Sequence, residues 1–419
     1  MKRRRGVWWL AAVAVAALTG LALGWPGTLF KALASKSLRE REPAQALDWL
    51  AWARRFQSPD GELEFLSARA ARQKGQMNQL REHVERAWKL GYPTAILERE
   101  QILGLAQSGQ MPEAEPALAG FLVDPQDDVA EICEAFATGF LKNYRRNDAL
   151  RLLEAWVGDQ PNNARARLFR AKLDIEIQQW SGAADHLEQV LQARPAQTEA
   201  TYLLAGVLLQ QKLPERALIL LARAEKDSRF RTSSRVQRVA ALRMLTRYEE
   251  AQKLASSLLE QHADEPNVLF EVGKLESDVG NYTRAIEHLD RARQVDPNSS
   301  EVRYALGVAL RGAGRGDEAR PHFQFVTQAR ERLAQALRRQ DDVAKDPENV
   351  EARCEIGAIY LDYGQPEKGI LWLNSALQYN PQCQTAHQCL ARYYESRSHE
   401  SNEMAALARK HFALASENE

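Results

Sequence analysis

The sequence predicts an all-α protein in which about eleven helix pairs stack into a solenoid. A small residue recurs at intervals close to 34 residues along most of the chain. A constant interval of this length is typical of repeat arrays, in which each unit packs only against its neighbours. The recurring position is occupied by Ala46, Leu80, Ala114, Ala149, Ala183, Ala217, Ala251, Ala285, Ala319, Gly369 and Ala408.

The residues that follow this position indicate the second helix of each pair. Apolar residues stand four and seven places later in most units, for example Leu289 and Ala292 after Ala285. Such offsets place side chains on one face of a helix. Twelve places later four units carry a proline, which ends the helix. These residues are Pro161, Pro195, Pro297 and Pro381.

A second helical pattern precedes the recurring position and indicates the first helix of the pair. Ahead of Ala285 it consists of Leu269, Val272 and Gly273, followed by a turn at Gly280. Small residues on both helices allow two backbones to approach to about 8–10 Å. Each unit is therefore predicted to be two tightly packed helices joined by a turn.

One unit shows the pattern most fully, at Gly273, Tyr282, Ala285, Leu289, Ala292 and Pro297. This pattern resembles the tetratricopeptide repeat family, and the resemblance covers about residues 28–419. It implies a right-handed superhelix whose concave surface is lined by the first helices. We divide the array into irregular N-terminal units at 28–125, a regular array at 126–331 and C-terminal units at 347–419.

An insertion interrupts the period between Ala319 and Gly369, which are 50 residues apart. The extra stretch from Thr327 to Lys345 contains no glycine or proline and is rich in helix formers. We expect the second helix of that unit to continue through an insertion at 332–346. Two arrangements stay open for it: a projecting docking arm, or a longer helix that rests on its neighbour.

The N-terminal segment predicts a membrane anchor. Residues 1–5 form a basic tail, and residues 6–25 carry no charge. A helix of about 20 residues spans about 30 Å, the thickness of the hydrocarbon core of a bilayer. Tryptophans at both ends of the run match the two membrane interfaces. The compact basic tail favours a cytoplasmic N-terminus, so the repeats would face the periplasm or the exterior.

A cleavable signal peptide is the alternative interpretation of this segment. Ala32, Leu33 and Ala34 have the small-residue spacing of a cleavage site. However, the uncharged run is longer than the core of a signal peptide. In addition, Phe30, Leu33 and Ala34 match the first-helix pattern of later units. We therefore expect the segment to remain attached as a single-pass anchor.

Composition and motifs argue against two classes of protein. Lys and Arg total 56, as do Asp and Glu, so the chain lacks the basic footprint of a nucleic-acid binder. No metalloprotease, hydrolase or phosphate-loop motif occurs, and no segment outside the repeats is long enough for a catalytic domain. We therefore expect neither an enzyme nor a cofactor.

A group of cysteines and one histidine raises the question of a metal site or a disulfide. Cys383, His387 and Cys389 are close in sequence, and Cys354 lies one unit earlier. Cys389 is nearly opposite His387 on a helix, so one helix cannot direct all three side chains at one metal. A metal site is therefore disfavoured, and a Cys354–Cys389 disulfide or free thiols remain as alternatives.

The concave surface is the candidate binding site. In the family, the second, fifth, ninth and twelfth positions of each unit are exposed there. With Gly206, Gly273 and Gly307 at the eighth position, the resemblance places a set of residues on this surface. They are Leu203, Val207, Gln210, Asn267, Phe270, Lys274, Ser277, Glu301, Tyr304, Val308 and Arg311. Aromatic side chains with an occasional cation favour a protein or peptide partner.

A basic stretch at 223–247 stands out in a chain of zero formal net charge. Arg231, Arg235 and Arg238 share one helical face. The stretch is either a solvated surface or a patch for an acidic segment or an anionic polymer.

Together these observations predict a membrane-anchored scaffold that binds proteins through its concave groove and assembles an envelope complex. The first alternative is an accessory role in glycan or polysaccharide synthesis or export, with the basic stretch facing the polymer. The second alternative is an enzyme, which no cluster of catalytic residues supports.

Overall fold

The computed structural model describes residues 25–416, and the regular elements in that range are helices throughout. The all-α prediction is confirmed for this part of the chain. The predicted basic tail at 1–5 and anchor at 6–25 lie outside the described residues, apart from Trp25, which begins the first helix. Among the helices described, none is both long enough and apolar enough to cross a membrane.

The chain divides into two compact units after Leu141. The helices of unit 1 are α1 (Trp25–Arg39), α2 (Pro43–Phe56), α3 (Gly61–Gln73), α4 (Met77–Lys89), α5 (Thr94–Ser108), α6 (Met111–Ala114), α7 (Leu118–Val123) and α8 (Val129–Lys142). A single 3-10 turn, Glu115–Ala117, joins α6 to α7.

Unit 2 continues the alternation of first and second helices. Its helices are α9 (Arg146–Asp159), α10 (Ala164–Glu176), α11 (Trp180–Ala193), α12 (Thr198–Gln210), α13 (Pro214–Ala224), α14 (Arg231–Met244), α15 (Tyr248–Gln261), α16 (Pro266–Asp278), α17 (Tyr282–Val295), α18 (Ser300–Gly312), α19 (Gly316–Lys345), α20 (Val350–Asp362), α21 (Pro366–Tyr379), α22 (Gln384–Ser396) and α23 (Asn402–Ser416).

Close contact at small residues holds the two helices of each pair together. Between α16 and α17, a Cβ atom on Gly273 would lie 2.5 Å from Leu289 Cγ. Between α20 and α21, a Cβ atom on Gly357 would lie 2.6 Å from Leu373 Cγ. The recurring residue Ala285 is fully buried at the same kind of interface. Larger side chains would force the helices apart, which explains why these positions stay small.

In every helix pair except the last, α22 and α23, the turn contains one residue in the left-handed conformation, five places before the recurring small residue. Glycine takes this position at Gly75, Gly109, Gly280, Gly314 and Gly364, and other residues take it at Arg41, Tyr144, Gln178, Lys212 and Thr246. At the end of α16, the Asn281 N–H donates to Glu276 O at 2.8 Å and closes the helix end. A left-handed non-glycine residue costs about 1–2 kcal/mol, so packing of the helices, rather than local preference, imposes the turn.

The insertion is part of α19, a continuous helix of 30 residues. Ala329, Ala336 and Val343 are buried along it. Arg339 Nε donates to Glu355 Oε2 of α20 at 2.6 Å. The extension therefore rests on its neighbour and does not project as a docking arm.

Unit 2 contacts its own beginning through α20 and α21. The ring of Tyr144, just before α9, stacks on the buried ring of Trp372 with centroids 3.8 Å apart. Tyr144 Oη donates to Lys368 O at 3.1 Å across 224 residues of sequence. The fully buried Arg353 donates to Asn143 O at 3.2 Å. These contacts join the beginning of unit 2 to α20 and α21. A repeat in which each pair packs only against its neighbours does not predict them.

The end of α20 and the turn that follows it also contact the loop between α17 and α18. Asn298 Nδ2 donates to Leu361 O at 3.3 Å. Gly364 has a φ of 81°, and a Cβ atom there would lie 2.5 Å from Asn298 O. Gly314 occupies the equivalent turn of its own unit with a φ of 78°, but a Cβ atom there would meet nothing within 4 Å. Position 364 thus requires glycine for two reasons: its left-handed backbone conformation and the close approach of the Asn298 loop.

Replacing Gly364 with alanine is expected to destabilise unit 2 more than replacing Gly314. Gly314→Ala introduces the left-handed strain of about 1 kcal/mol. Gly364→Ala also displaces the Asn298 loop, so we expect a loss of about 2–4 kcal/mol in the free energy of unfolding. Urea denaturation followed by circular dichroism measures both losses. Equal losses in the two variants would contradict the close contact at Gly364.

Candidate binding trough

Four first helices of unit 2 carry equivalent residues at the fifth position of their units. These residues are 34 apart in sequence: Tyr202 on α12, Val236 on α14, Phe270 on α16 and Tyr304 on α18. The left-handed turn residues define the numbering of positions within each of these units, because each lies five places before the recurring small residue of its unit. We call the surface formed by this row and the side chains beside it the trough.

For α12, this register corrects the sequence prediction by one residue. The prediction took Gly206 as the small residue against the second helix, but a Cβ atom there would make only an ordinary 3.5 Å contact with Gln237. Ala205, which is fully buried, holds that position. Val207 is consequently 2% exposed within the core, and its prediction as a groove residue is wrong.

The same correction by one position applies to the other two groove residues predicted on α12, Leu203 and Gln210. Leu203 is half-buried and packs against the core of this part of unit 2. Gln210 is exposed at the last position of α12. The sequence analysis therefore missed Tyr202, which the left-handed turn at Lys212 identifies.

A depression of about 610 Å³ lies in the trough between α12, α14 and α16 and reaches the first turn of α18. Tyr202 and Val236 line it. Of the predicted groove residues, Asn267, Phe270 and Glu301 line it as well. The structure thus brings part of the predicted set together with two residues from neighbouring units.

Two residues that line the depression, Gln237 and Glu271, each hold a buried acceptor with no hydrogen-bond partner among the described residues. Gln237 Nε2 donates to Tyr202 Oη at 3.1 Å, which leaves Gln237 Oε1 buried and unbonded. Glu271 Oε1 accepts from Lys274 Nζ at 2.8 Å, while its buried Oε2 lies 3.8 Å from Arg243 Nε. A buried acceptor without a hydrogen bond costs about 1–3 kcal/mol, so a ligand gains affinity if these side chains turn toward its donors on binding.

Aromatic rings supply the apolar part of the depression. The rings of Tyr202 and Phe230 lie 5.1 Å apart. Lys274 Nζ lies 4.7 Å from the centroid of the Phe270 ring, so the predicted groove lysine contacts both that ring and Glu271. Rings fixed in this way offer apolar contact at a low cost in conformational entropy.

The remaining predicted groove residues lie on α16 and α18 outside the depression. Tyr304 is 54% exposed and packs edge-on against Phe323, with centroids 6.0 Å apart. Arg311 is exposed, with its guanidinium 5.2 Å from the centroid of Phe323. Ser277 and Val308 are half-buried.

The predicted patch for an anionic partner on α14 is partly neutralised. Arg238 pairs with Glu225, and Arg235 Nε lies 3.8 Å from the same carboxylate. Arg235 also donates to Gln261 Oε1 at 3.0 Å. Arg231 is exposed, whereas Arg235 and Arg238 are half-buried. The sum of the charges along the sequence does not reveal that one glutamate ahead of α14, Glu225, contacts two of the arginines.

In unit 1, ion pairs occupy the equivalent positions, and the sequence analysis missed them. Arg69 and Arg72 of α3 stand where Lys274 and Ser277 stand in α16, counted from the recurring small residue. Arg72 is fully buried. A buried arginine requires partners, since an unpaired buried charge is very costly.

Carboxylates from two other first helices of unit 1 provide these partners. Arg72 Nε donates to Glu100 Oε1 of α5 at 2.5 Å, and Arg72 also pairs with Glu131 of α8. Arg69 donates to Glu100 Oε2 at 3.1 Å and to both oxygens of Asp128 at 3.0 and 2.8 Å. Opposite charges at facing positions of neighbouring units were the signal in the sequence that could have revealed this cluster. Ion pairs therefore fill this surface of unit 1.

The predicted cysteine and histidine group forms no metal-binding cluster within residues 25–416. His387 uses both ring nitrogens: Nε2 lies 2.9 Å from Pro381 O, and Nδ1 lies 2.9 Å from His411 Nδ1. Burial, together with the neighbouring His387, lowers the pKa of His411 to about 4. His411 is therefore neutral at pH 7.

The sulfur contact in this region differs from the disulfide considered in the sequence analysis. That alternative joined Cys354 to Cys389. The structure instead places Cys354 Sγ 3.5 Å from Cys383 Sγ, in direct contact.

Comparison with known proteins identifies tetratricopeptide repeats in unit 2, at residues 178–243, 271–324 and 323–382. The part of the chain that the structure describes is all helical. No curated protein sequence matches the chain.

Several solved structures are similar to the chain at low identity. A tetratricopeptide repeat protein from Parabacteroides merdae is 13% identical, with a TM-score of 0.45, over 64% of this chain and 92% of that one. PilW, a type IV pilus biogenesis factor, is 15% identical, with a TM-score of 0.42, over 46% and 90%. Pseudomonas aeruginosa PilF is 16% identical, with a TM-score of 0.39, over 48% and 90%.

Truncating Arg72 is expected to destabilise unit 1 strongly. Arg72→Ala removes the buried cation that Glu100 and Glu131 share, and breaking a buried ion pair typically costs about 3–5 kcal/mol. Lys89→Ala is the matched control, because Lys89 pairs with Glu85 on an exposed face and such pairs contribute below about 1 kcal/mol. Chemical denaturation measures both. If the two variants lost similar stability, the buried cluster would not be a structural support of unit 1.

Proposed function

We propose that this protein is a scaffold that holds an extended segment of a partner protein in the trough of unit 2. Tetratricopeptide repeats suggest a scaffold for protein–protein interactions, and proteins built from them are generally not enzymes. The observation that supports the trough is the pair of unbonded buried acceptors, Gln237 Oε1 and Glu271 Oε2, beside the aromatic rings. An extended peptide carries backbone N–H donors and side chains on alternate sides, so it complements both features.

The charges at the rim of the depression narrow the choice of partner. Glu265 and Glu301 are exposed there. Arg229, which also lines the depression, pairs with Asp227 at 2.7 Å. A segment without acidic side chains therefore fits this surface better than an acidic one.

An anionic polymer is a less suitable ligand for this chain. A polymer-binding role would depend on Arg231, Arg235 and Arg238, and Glu225 contacts two of the three. We therefore prefer the protein-binding function over the accessory role in polysaccharide synthesis or export.

We also propose that residues 6–25 anchor the scaffold in a membrane, with the repeats on the periplasmic or exterior side, where they would assemble an envelope complex. The support is the uncharged run beside a compact basic tail. Cleavage after Ala34 would remove residues that pack within unit 1. Ala34 is fully buried, and the ring of Phe30 stacks on Trp49 with centroids 5.8 Å apart.

Selection from a random nonapeptide library tests the trough. The wild-type protein is expected to enrich peptides that bind it. A Tyr202→Ala, Phe270→Ala double variant should bind the enriched peptides at least about tenfold more weakly, because central aromatic contacts each contribute about 1 kcal/mol or more. Titration calorimetry with the best peptide measures the difference.

Ile219→Ala is the control for this experiment, because Ile219 is a large apolar side chain that is 67% exposed on the second helix α13. It should bind like the wild type. Unchanged binding by the double variant would show that peptides bind elsewhere and would reject the trough as the site.

A reporter fused after Glu419 tests the membrane topology. We expect alkaline phosphatase, which needs an oxidising compartment, to be active in this fusion, and a reporter that works only in the cytosol to be inactive. Deletion of residues 6–25 should reverse both results. Cytosolic activity of the full-length fusion would overturn the proposed orientation.

A further inference from the structure

We propose that Cys354 and Cys383 form a disulfide bond that ties the start of α22 to α20. The two Sγ atoms lie 3.5 Å apart, although the residues are separated by 29 positions in sequence. A disulfide needs about 2.05 Å, so the sulfur atoms must approach by about 1.5 Å. Neither residue lines the depression of the trough, so the proposal does not depend on the proposed function.

The two cysteines occupy settings that permit this movement. Cys354 is 3% exposed on α20, in a core that includes Leu373 and Leu390. Cys383 is half-buried and precedes the first residue of α22, with φ −67° and ψ 102°. Its backbone is therefore outside the helix, and its side chain can turn toward Cys354 without disturbing helical hydrogen bonds.

A third cysteine in the same core, Cys389, is the competing partner. It lies on α22, six positions after Cys383 in the sequence, and packs against the same cluster as Cys354. The direct sulfur contact of Cys354 is with Cys383. The geometry therefore selects Cys383 and leaves Cys389 as a free thiol.

The bond forms by exchange with an external disulfide, either a small-molecule disulfide or a disulfide-carrying oxidoreductase. Cys383, the more exposed of the two, loses its proton and attacks one sulfur of the carrier. That step forms a mixed disulfide and releases the first carrier thiol. Cys354 then loses its proton, attacks the sulfur of Cys383 and releases the second carrier thiol. Two cysteines are oxidised, the carrier disulfide is reduced to two thiols, and the two protons pass to these thiols.

The second step limits the rate. Burial, together with the neighbouring Cys383, raises the pKa of the Cys354 thiol, so little of it is thiolate at neutral pH. The thiolate fraction grows with pH, so closure of the bond should accelerate by close to tenfold from pH 7 to pH 8. Replacing Cys354 should trap the mixed disulfide on Cys383.

The bond would close a loop that contains the whole of α21. That helix carries Trp372, the residue that stacks on Tyr144. Because a cross-link restricts the unfolded chain, the oxidised protein should unfold at a temperature several degrees higher than the reduced protein.

The test uses the full-length protein, incubated with excess oxidised glutathione, then unfolded in denaturant, alkylated and digested for mass spectrometry. We expect two of the four thiols to resist alkylation and a peptide linked through Cys354 and Cys383. Cys389→Ser should still form the link. Cys383→Ser should leave its three thiols open to alkylation, and Cys354→Ser should carry glutathione at Cys383.

Three results would overturn the proposal. The first is four alkylated thiols after oxidation, with no linked peptide. The second is a link that includes Cys389. The third is a bond between two copies of the chain in place of the internal bond.

Discussion

The close approach of two helices at a small residue is the constraint on which the rest of the structure depends. At Gly273 a single added carbon would collide with Leu289, and at Gly357 it would collide with Leu373. This spacing fixes the orientation of each first helix relative to its second helix. The fifth position of the unit therefore points the same way in successive units, which aligns Tyr202, Val236 and Phe270 along one depression.

The two units use the equivalent surface in different ways. In unit 1, Arg69 and Arg72 reach Glu100 and Glu131, and the charges are buried in a network of their own. In unit 2, Gln237 and Glu271 hold buried acceptors that receive no hydrogen bond from a described residue. A surface whose polar groups already bond to one another gains little free energy from a ligand. Acceptors without a hydrogen bond, next to fixed aromatic rings, gain more when a ligand binds. Recognition is for this reason assigned to unit 2, and structural support to unit 1.

The helix pairs could be predicted from sequence because the interval and the apolar offsets are local properties. The register of α12 was misplaced because Gly206 resembles the small residue of other units, while Ala205 performs that role. The stacking of Tyr144 on Trp372 spans most of unit 2 and leaves no periodic trace. The partners of Arg72 lie 28 and 59 residues away in sequence. Predicting them would have required knowing how three first helices pack together. Neighbour-to-neighbour packing was therefore predictable, and longer-range closure was not.

Photocrosslinking in cells tests the central claim, that the trough of unit 2 holds the partner. A photoreactive phenylalanine analogue would replace Tyr304, which is 54% exposed beside the depression, or Trp88, which is 60% exposed in unit 1. We expect a discrete crosslinked protein from position 304 that disappears when Tyr202 and Phe270 are also truncated, and none from position 88. A partner captured from position 88 but not from position 304 would contradict it.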